Sequence, residues 1–359
     1  MALTAFDEVP LVDVAPLLAP PGEQDPQAVA ATVAALGRAA REVGFAYVGG
    51  CEPPPGAFDD LLAVTEAFFA LPREAKMRSW IGLSDSHKGY VPEGEEVFAG
   101  GTPDAKEAFD LVGLDLAPDD PDVVACPLLG PVPWPDVAGF DGPRFERAVR
   151  RYYDHTFAVG RALFRGFALA LGEDAGFFDP FLTKPPSQLR LIHYPYDPDA
   201  EDRPGIGAHT DYECFTLLRP TGPGLEVLNG DGRWIDAPLV PGAAYVVNIG
   251  DLLELWSNGE FVATTHRVRR VTEERYSFPL FCAVDHATRV EPLAAYVDAD
   301  RPPIAPALVA GEHLYAQTAQ TFTYLRERIA AGRARPPQGS PAPARFGRAE
   351  EPGVTRPSR

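Results

Sequence analysis

Three residues of metal-binding type stand at spacings that strands could bring together. His209 and Asp211 lie two residues apart, directly after a Gly/Pro turn where a strand-like pattern resumes. Because side chains alternate along a strand, both point to the same face and can bind one ion together. His266 follows 57 residues later in a β-branched segment that is predicted to form a neighbouring strand. Taken alone, His-x-Asp also fits a surface pair or a hydrogen-bonded core histidine.

This combination of ligands favours iron. Two imidazoles and one carboxylate on one face of a metal form the facial triad of non-haem Fe(II) oxygenases, which leaves positions open for a chelating co-substrate and O₂. Zinc would favour a tetrahedral site that keeps one water. We therefore expect His209, Asp211 and His266 to hold Fe(II) at a catalytic centre.

A candidate anchor for a carboxylate follows the second histidine. Arg275 and Ser277 come nine and eleven residues after His266, and strand alternation places them on one face. A guanidinium binds a carboxylate through two hydrogen bonds, and a hydroxyl adds one donor. A solvated arginine at a strand start is the alternative. Other arginines nearby could serve instead, namely Arg267, Arg269, Arg270 and Arg289.

The elements that must position these residues change in type along the chain. Apolar residues every three or four positions predict helices over residues 27–43, 57–71, 144–171 and 311–329. Short runs rich in β-branched and aromatic residues predict strands over 45–48, 108–112, 189–194, 215–218, 225–228, 243–249, 264–268 and 276–284. The closely spaced strands between 187 and 284 favour a barrel or jelly roll.

This pattern divides the chain into three parts. Residues 1–140 form a mixed α/β region, and residues 141–332 hold the long helix, the β-rich catalytic core and the C-terminal helix. Residues 333–359 are rich in Pro, Arg and Ala and have too few large apolar side chains to pack, so this tail is predicted to be disordered.

Composition limits the partners and the compartment. Lys and Arg total 32 against 51 Asp and Glu, a net charge of −19, which disfavours a nucleic acid or an anionic membrane and fits a small-molecule substrate. The four cysteines are far apart and show no zinc-like spacing, and neither an export leader nor a membrane span is visible. We expect a cytoplasmic enzyme, and the sequence gives no indication of the oligomeric state.

Motifs well beyond the metal ligands resemble one family. The order His-x-Asp, His, Arg-x-Ser is that of the isopenicillin N synthase-like branch of the Fe(II)/2-oxoglutarate-dependent dioxygenases. The stretch Val247–Gly259 before His266 is similar to the family's approach to its distal histidine, and residues 224–227 and 232–234 are similar to its preceding hairpin. N-terminal segments such as Glu42-Val-Gly-Phe45 and Phe68-Phe-Ala-Leu-Pro72 also match in order, so the resemblance covers about residues 8–330.

The resemblance implies a fold, cofactors and further site residues. The fold would be mainly β with flanking helices, around a double-stranded β-helix that holds the iron between two sheets. The cofactors would be Fe(II), 2-oxoglutarate and O₂, with Tyr194 beside the 2-oxoglutarate. This chain departs from many relatives at Ile192, where they carry a polar Asn. By the same resemblance, the loop carrying His87, Lys88 and Tyr90 would approach the substrate.

The implied reaction is oxidation, by default hydroxylation, of a small molecule with release of succinate and CO₂. In that reading, Arg275 and Ser277 bind the distal carboxylate of 2-oxoglutarate. One alternative keeps the iron without 2-oxoglutarate, as in isopenicillin N synthase and aminocyclopropane-carboxylate oxidase. Another is a jelly roll that binds a small acid without turnover. The identity of the substrate is not readable from the sequence, since pocket loops vary independently of fold.

Overall fold

The computed structural model describes residues 4–20, 22–97, 104–114, 116–196, 205–269 and 273–338. Its helices are α1 (Ala15–Leu18), α2 (Pro26–Glu42), α3 (Ala57–Phe69), α4 (Arg73–Lys76), α5 (Pro121–Ala125), α6 (Gly142–Ala170), α7 (Asp251–Trp256), α8 (Ala310–Thr321) and α9 (Thr323–Ala330). Its strands are β1 (Leu11–Asp13), β2 (Phe45–Gly49), β3 (Gly89–Val91), β4 (Glu107–Val112), β5 (Gln188–Tyr194), β6 (Ile206–His209), β7 (Phe215–Pro220), β8 (Leu225–Leu228), β9 (Trp234–Asp236), β10 (Tyr245–Ile249), β11 (His266–Val268), β12 (Arg275–Cys282), β13 (Arg289–Val290) and β14 (Leu308–Val309).

Two sheets enclose the functional cavity. The larger has eight strands in the order β1-β2-β10-β7-β12-β5-β4-β3, and the smaller has four in the order β6-β11-β8-β9. Apart from the parallel pair β1–β2, the neighbouring strands of both sheets run antiparallel. Side chains from β5, β7 and β12 of the large sheet and from β6, β8 and β11 of the small sheet line one common cavity.

The long helix α6 covers the outer face of the large sheet. Asp141 caps its N-terminus by accepting a hydrogen bond from Arg144 N, and Pro143 occupies the first turn, where no donor is needed. Its apolar face brings Phe164 to within 4.7 Å of Phe215 on β7, measured between ring centroids. This packing makes a rigid outer wall behind the strands that carry the site.

Both chain segments divided at residue 140 contribute to the large sheet. Strand β2 pairs with β10, and β4 pairs with β5. Strands from before and after residue 140 therefore belong to the same sheet. None of the described helices is long and apolar enough to cross a membrane.

The predicted C-terminal helix is in fact two helices. Phe322 leaves the helical conformation at φ −89° and ψ 123°, and separates α8 from α9. Two contacts with the loop before β4 stabilise the break: Thr323 N donates to Glu95 O at 3.1 Å, and Val97 N donates to Thr321 O at 3.0 Å. Helical periodicity alone does not predict such a tertiary contact.

The predicted tail falls mostly outside the described residues, which end at Gln338. Its first part has contacts. The Arg335 guanidinium pairs with Glu312 of α8 at 2.6 Å, and Arg335 O accepts a hydrogen bond from the Tyr315 hydroxyl at 2.7 Å. The chain therefore remains attached to α8 for some residues beyond α9.

Candidate metal centre and active-site cavity

Strand pairing brings the three predicted metal ligands together. His266 on β11 lies directly across from His209 on β6, and Asp211 follows two residues later. The Nε2 atoms of His209 and His266 are 3.5 and 3.6 Å from Asp211 Oδ1. Each of the three residues offers one ligand atom, and these atoms all lie within 4.8 Å of one another, so the group could hold a metal ion.

Hydrogen bonds fix which atom of each side chain faces the centre. His209 Nδ1 lies 2.8 Å from Gly207 O and His266 Nδ1 lies 3.2 Å from Thr264 O, so each Nδ1–H donates to a carbonyl. Each Nε2 is thereby directed towards Asp211. Bonds of this kind set the tautomer and orientation of metal-binding histidines.

The carboxylate of Asp211 is held in the same way. Its Oδ2 accepts hydrogen bonds from Asn248 Nδ2 at 2.7 Å and from the Thr216 hydroxyl. Oδ1 is the atom that faces the two imidazoles. The residues present therefore fit a divalent cation with three ligands on one face.

The charge states of Asp211 and His266 suit a metal, whereas that of His209 depends on Asp211. Burial alone would lower the pKa of His209, but Asp211 and the hydrogen bond to Gly207 O raise it above its ordinary value. Burial alone would raise the pKa of Asp211, but the charges of His266 and His209 and the hydrogen bonds from His209 and Asn248 hold it well below its ordinary value. Burial, together with the nearby His209, lowers the pKa of His266 to about 4. His266 is thus neutral at pH 7, which is the form that binds metals.

Arg275 is a buried, unsatisfied cation beside Tyr194 and Ser277, two residues of the cavity wall. Its side chain is 1% exposed, and its Nε donates to Gly222 O at 3.2 Å. Its Nη1 and Nη2 are buried and have no hydrogen-bond partner in the described part of the chain. A buried guanidinium in this state fits a carboxylate that accepts both donors.

Arg275 has the predicted neighbours. Tyr194 lies opposite it on β5, with its ring centroid 4.7 Å from the guanidinium carbon. Ser277 lies opposite Ile192 on the same pair of strands, and Tyr194, Ile192 and Ser277 all line the cavity that contains the metal cluster. Of the alternative arginines, Arg289 is exposed, Arg267 pairs with Glu226, Arg269 lies 4.0 Å from Asp236, and Arg270 lies outside the described residues.

A group of paired charges lines the cavity around Arg190, Glu96 and Lys106. Arg190 on β5 binds Asp110 on β4 through two hydrogen bonds of 2.6 Å, and its Nη2 also pairs with Glu96 at 2.6 Å. Lys106 pairs with Glu96 and, at 2.7 Å, with Asp104. These two cations are thus matched by carboxylates of the protein itself.

The three predicted substrate contacts lie in different places. His87 lines the cavity, where its Nδ1 hydrogen-bonds with the Tyr324 hydroxyl and its ring packs edge-on against Phe322. Lys88 is buried behind it and donates to Gln188 Oε1 at 2.8 Å. Tyr90 packs on Phe68 and donates to Glu107, away from the metal cluster, so its position gives the prediction no support.

Sequence reasoning missed several residues of the cavity. Asn248 is a polar residue in the apolar strand β10, and that contrast was a usable signal. Glu213 had no such signal, because residues 211–214 lie between β6 and β7 and strand alternation does not apply to them. Burial, with Asp211 and Asp251 nearby, raises the pKa of Glu213 to about 8. The Arg190–Asp110–Glu96 contacts join distant segments and had no local signal.

Similarity to known proteins agrees with this geometry. The model of the 2OG-Fe(II) oxygenase superfamily matches residues 185–284, and the model described as non-haem dioxygenase in morphine synthesis N-terminal matches residues 9–137. A homoarginine-6-hydroxylase from Glycine max is 35% identical over 312 residues, covering 81% of this chain and 89% of that protein. A 2-oxoglutarate-Fe(II) type oxidoreductase from Emericella nidulans is 34% identical, covering 69% of this chain and 73% of that protein.

Solved structures are similar over nearly the whole chain. A full-length Neurospora crassa protein in complex with alpha-KG and thymine superposes with a TM-score of 0.72 at 27% identity, covering 92% of this chain and all of that one. The rice dioxygenase for auxin oxidation gives a TM-score of 0.65 at 26% identity, covering 92% of this chain and 98% of that one.

Fold and site together define a non-haem iron oxygenase with a double-stranded β-helix core. The chain belongs to the 2OG-Fe(II) oxygenase superfamily. It is an Fe(II)- and 2-oxoglutarate-dependent dioxygenase of small molecules, which confirms the predicted family, fold class and cofactors. The relatives favour this reaction over the 2-oxoglutarate-independent oxidase and over the non-catalytic jelly roll.

Proposed function

We propose that His209, Asp211 and His266 bind the Fe(II), and that Arg275, Ser277 and Tyr194 bind 2-oxoglutarate. The observation that carries the proposal is the buried Arg275 guanidinium, whose two Nη atoms have no partner among the described residues. Its opposite neighbour Tyr194 lines the same cavity as the three ligands. A dicarboxylate that reaches from the metal to Arg275 would bind the metal at one end and accept hydrogen bonds from the two Nη atoms at the other.

In this proposal the protein orients and the cofactors react. When bound, Fe(II) activates O₂ as 2-oxoglutarate is converted to succinate and CO₂, and the substrate is hydroxylated. Gly207 O and Thr264 O hold the two imidazoles, while Asn248 and Thr216 hold Asp211. Apolar side chains around the cluster exclude water and strengthen these contacts; they include Ile206, Leu225 and Val268.

Family membership leaves the substrate open, because the relatives differ chemically. Homoarginine, in the name of several relatives, carries a cationic guanidinium, whereas thymine, bound in one of the structures, is neutral. We place His87 at the substrate end of the cavity, with Lys88 behind it. Tyr90 is left out of this proposal because it does not line the cavity.

We also infer a cytoplasmic location and a small-molecule partner only. Two observations support the inference. All four cysteines are free and buried, which suits a reducing compartment, and the net charge of −19 disfavours nucleic acids and anionic membranes.

The test is anaerobic reconstitution with Fe(II) and 2-oxoglutarate, followed through the weak visible charge-transfer band of the chelate. The native protein should show the band and, on exposure to O₂, should form succinate. Asp211→Asn should lose both, since it removes the negative charge from the facing carboxylate. Asp174→Asn, the same change at an exposed site, should behave as native.

Two results would contradict the proposal. One is a native-like band in Asp211→Asn, which would place the metal elsewhere. The other is O₂ consumption with Fe(II) but without any succinate, which would indicate an iron oxidase that does not use 2-oxoglutarate.

A further inference from the structure

Gln188 lies at one end of the cavity wall, and the role inferred for it rests on the proposed function. Strand β5 sends alternate side chains into the cavity, from Gln188 at its start to Tyr194, beside Arg275, at its end. At about 3.3 Å per residue, these two positions on β5 are roughly 20 Å apart. Gln188 therefore lies at the end of the wall away from the proposed 2-oxoglutarate anchor.

Pairing across the large sheet places Gln188 level with the metal cluster. Gln188 pairs with Phe281 of β12, Phe281 pairs with Thr216 of β7, and all three line the cavity. Thr216 in turn donates a hydrogen bond to the proposed metal ligand Asp211. Since neighbouring strands lie about 4.8 Å apart, Gln188 is two strand spacings, roughly 10 Å, from Thr216. A small molecule can therefore contact Gln188 and still place a carbon atom at the metal.

Lys88 fixes the orientation of the Gln188 amide. Lys88 Nζ donates to Gln188 Oε1 at 2.8 Å, and an ammonium has no acceptor, so the amide oxygen and not the nitrogen faces Lys88. Burial lowers the pKa of Lys88 to about 8, so this group is still mainly protonated at pH 7. Gln188 Nε2 lies on the other branch of the amide, where it has no hydrogen-bond partner among the described residues.

Lys88 also holds a second group of the same wall. Its Nζ donates to His87 O at 3.2 Å, and His87 has a φ of 56°, in the left-handed region that a non-glycine residue rarely adopts. Lys88 itself is 1% exposed and lies behind the wall, whereas His87 and Gln188 line the cavity. Lys88 is therefore a positioning residue, and the groups it positions are the ones that a substrate can contact.

We propose that Gln188 Nε2 donates a hydrogen bond to an oxygen atom of the primary substrate, a carbonyl or a carboxylate, and that Lys88 holds the amide in the required orientation. Phe281 lies between Gln188 and Thr216 and gives the apolar part of the substrate a surface to pack on. The acceptor oxygen and the oxidised carbon are then separated by one to two strand spacings, about 5–10 Å. The substrate class is a small molecule that carries an acceptor oxygen on an apolar stem of this length.

The experiment uses the native holoprotein with Fe(II) and 2-oxoglutarate under anaerobic conditions, and binding is read as a perturbation of the charge-transfer band. The probes differ in the terminal group on a common stem: hydrocinnamamide, hydrocinnamate and phenylpropylamine, and the aliphatic set hexanamide, hexanoate and hexylamine. At least one amide or carboxylate should bind about 10-fold or more tightly than the amine of its stem, because an ammonium offers no acceptor to the Gln188 N–H. The tighter of the two, amide or carboxylate, identifies the kind of oxygen that Gln188 binds.

Gln188→Glu keeps the shape of the side chain and replaces the donor by an acceptor. The new carboxylate would pair with the Lys88 ammonium, so the melting temperature should not fall. Binding of the responding amide or carboxylate should weaken by roughly 5- to 150-fold, since two acceptors that face each other are both left unsatisfied. Binding of the amine should not weaken. Gln27→Glu, the same change at an exposed site, should keep the native preference.

Lys88→Met tests the positioning role separately. Without the ammonium, the Gln188 amide can turn and offer either its oxygen or its nitrogen to the cavity. The ratio between the affinities for the acceptor probe and for the amine of the same stem should therefore fall towards one. A purely structural effect would weaken the binding of all probes by the same factor and leave this ratio unchanged.

The outcomes separate the two levels of the proposal. No response to any amide or carboxylate, equal binding of the amines, or native binding of the acceptor probe in Gln188→Glu overturns the assignment of Gln188 and leaves the metal and 2-oxoglutarate sites standing. An unchanged ratio in Lys88→Met overturns the positioning role of Lys88. Absence of the band in the native protein before any probe is added is the failure of the proposed function itself.

Discussion

Replacing Arg275 by Lys tests whether the buried guanidinium is the 2-oxoglutarate anchor. Lysine keeps the positive charge but replaces a planar fork by a single ammonium, which cannot make two parallel bonds to one carboxylate. Arg275 has two Nη atoms without a partner in the described structure, so we expect both to bind the ligand. Losing one charge-assisted hydrogen bond costs about 1.5–3 kcal/mol. The Kd for 2-oxoglutarate should therefore rise by roughly 10- to 150-fold.

The assay is an anaerobic titration of the Fe(II) protein with 2-oxoglutarate, read through the charge-transfer band. Steady-state succinate formation adds a second readout. The KM for 2-oxoglutarate should rise, while kcat at saturating 2-oxoglutarate should stay near the native value, because the metal ligands are untouched. Arg289→Lys is the matched control, since Arg289 is exposed on β13, away from the cavity.

An unchanged Kd in Arg275→Lys would refute the reasoning. The two Nη atoms would then be buried for a reason other than the co-substrate, and another cation would have to bind its distal carboxylate. An equal loss in Arg289→Lys would instead indicate a general effect of the substitution on the fold.

Three further predictions follow from individual contacts. Asn248→Leu removes a hydrogen bond to Asp211 Oδ2 and should weaken Mn(II) binding about 10- to 100-fold by calorimetry; native affinity would exclude a supporting role. Arg190→Met leaves the buried Asp110 without its cation and leaves Glu96 with Lys106 alone, so it should lower the free energy of unfolding by about 3–5 kcal/mol. Arg275→Met should cost the ligand-free protein far less, because no carboxylate of the described residues pairs with its Nη atoms; urea melts that ranked the two variants in reverse would contradict this. Burial alone would raise the pKa of Glu96, but Arg190 and Lys106 hold it at about 2. The contribution of Glu96 to the free energy of unfolding is therefore fully present above the unfolded pKa of about 4.5 and is lost as the pH falls through 2. The melting temperatures of Glu96→Gln and the native protein should converge over this range, and a difference that stayed constant with pH would count against the ion pairs.

Local sequence patterns were sufficient to predict most helices and strands and several residues of the site. Strand alternation placed His209 with Asp211 and Arg275 with Ser277. In the structure His209, Asp211 and Ser277 line one cavity, and Arg275 is buried beside it, opposite Tyr194. Most helix and strand boundaries agree to within two residues, because hydrophobic periodicity decides which residues can be buried.

The remaining features depend on long-range contacts. The direct pairing of His266 with His209 joins strands that are 57 residues apart, and only the register of the small sheet fixes it. The break at Phe322 depends on the loop before β4, which no helical pattern contains. The sequence shows that Asn248 and Glu213 are polar, but it does not predict their contacts. The hydrogen bond from Asn248 to Asp211, for example, joins residues 37 positions apart.

Comparing the two buried arginines separates a structural charge from a binding charge. Arg190 and Arg275 lie on the adjacent strands β5 and β12, and both are largely inaccessible to solvent. The protein supplies two carboxylates to Arg190 but none to the Nη atoms of Arg275 among the described residues. Burying an unmatched guanidinium is costly, so a fold that keeps one gains from it only in the complex with an anion. This comparison predicts that Arg275, and not Arg190, binds an anionic ligand.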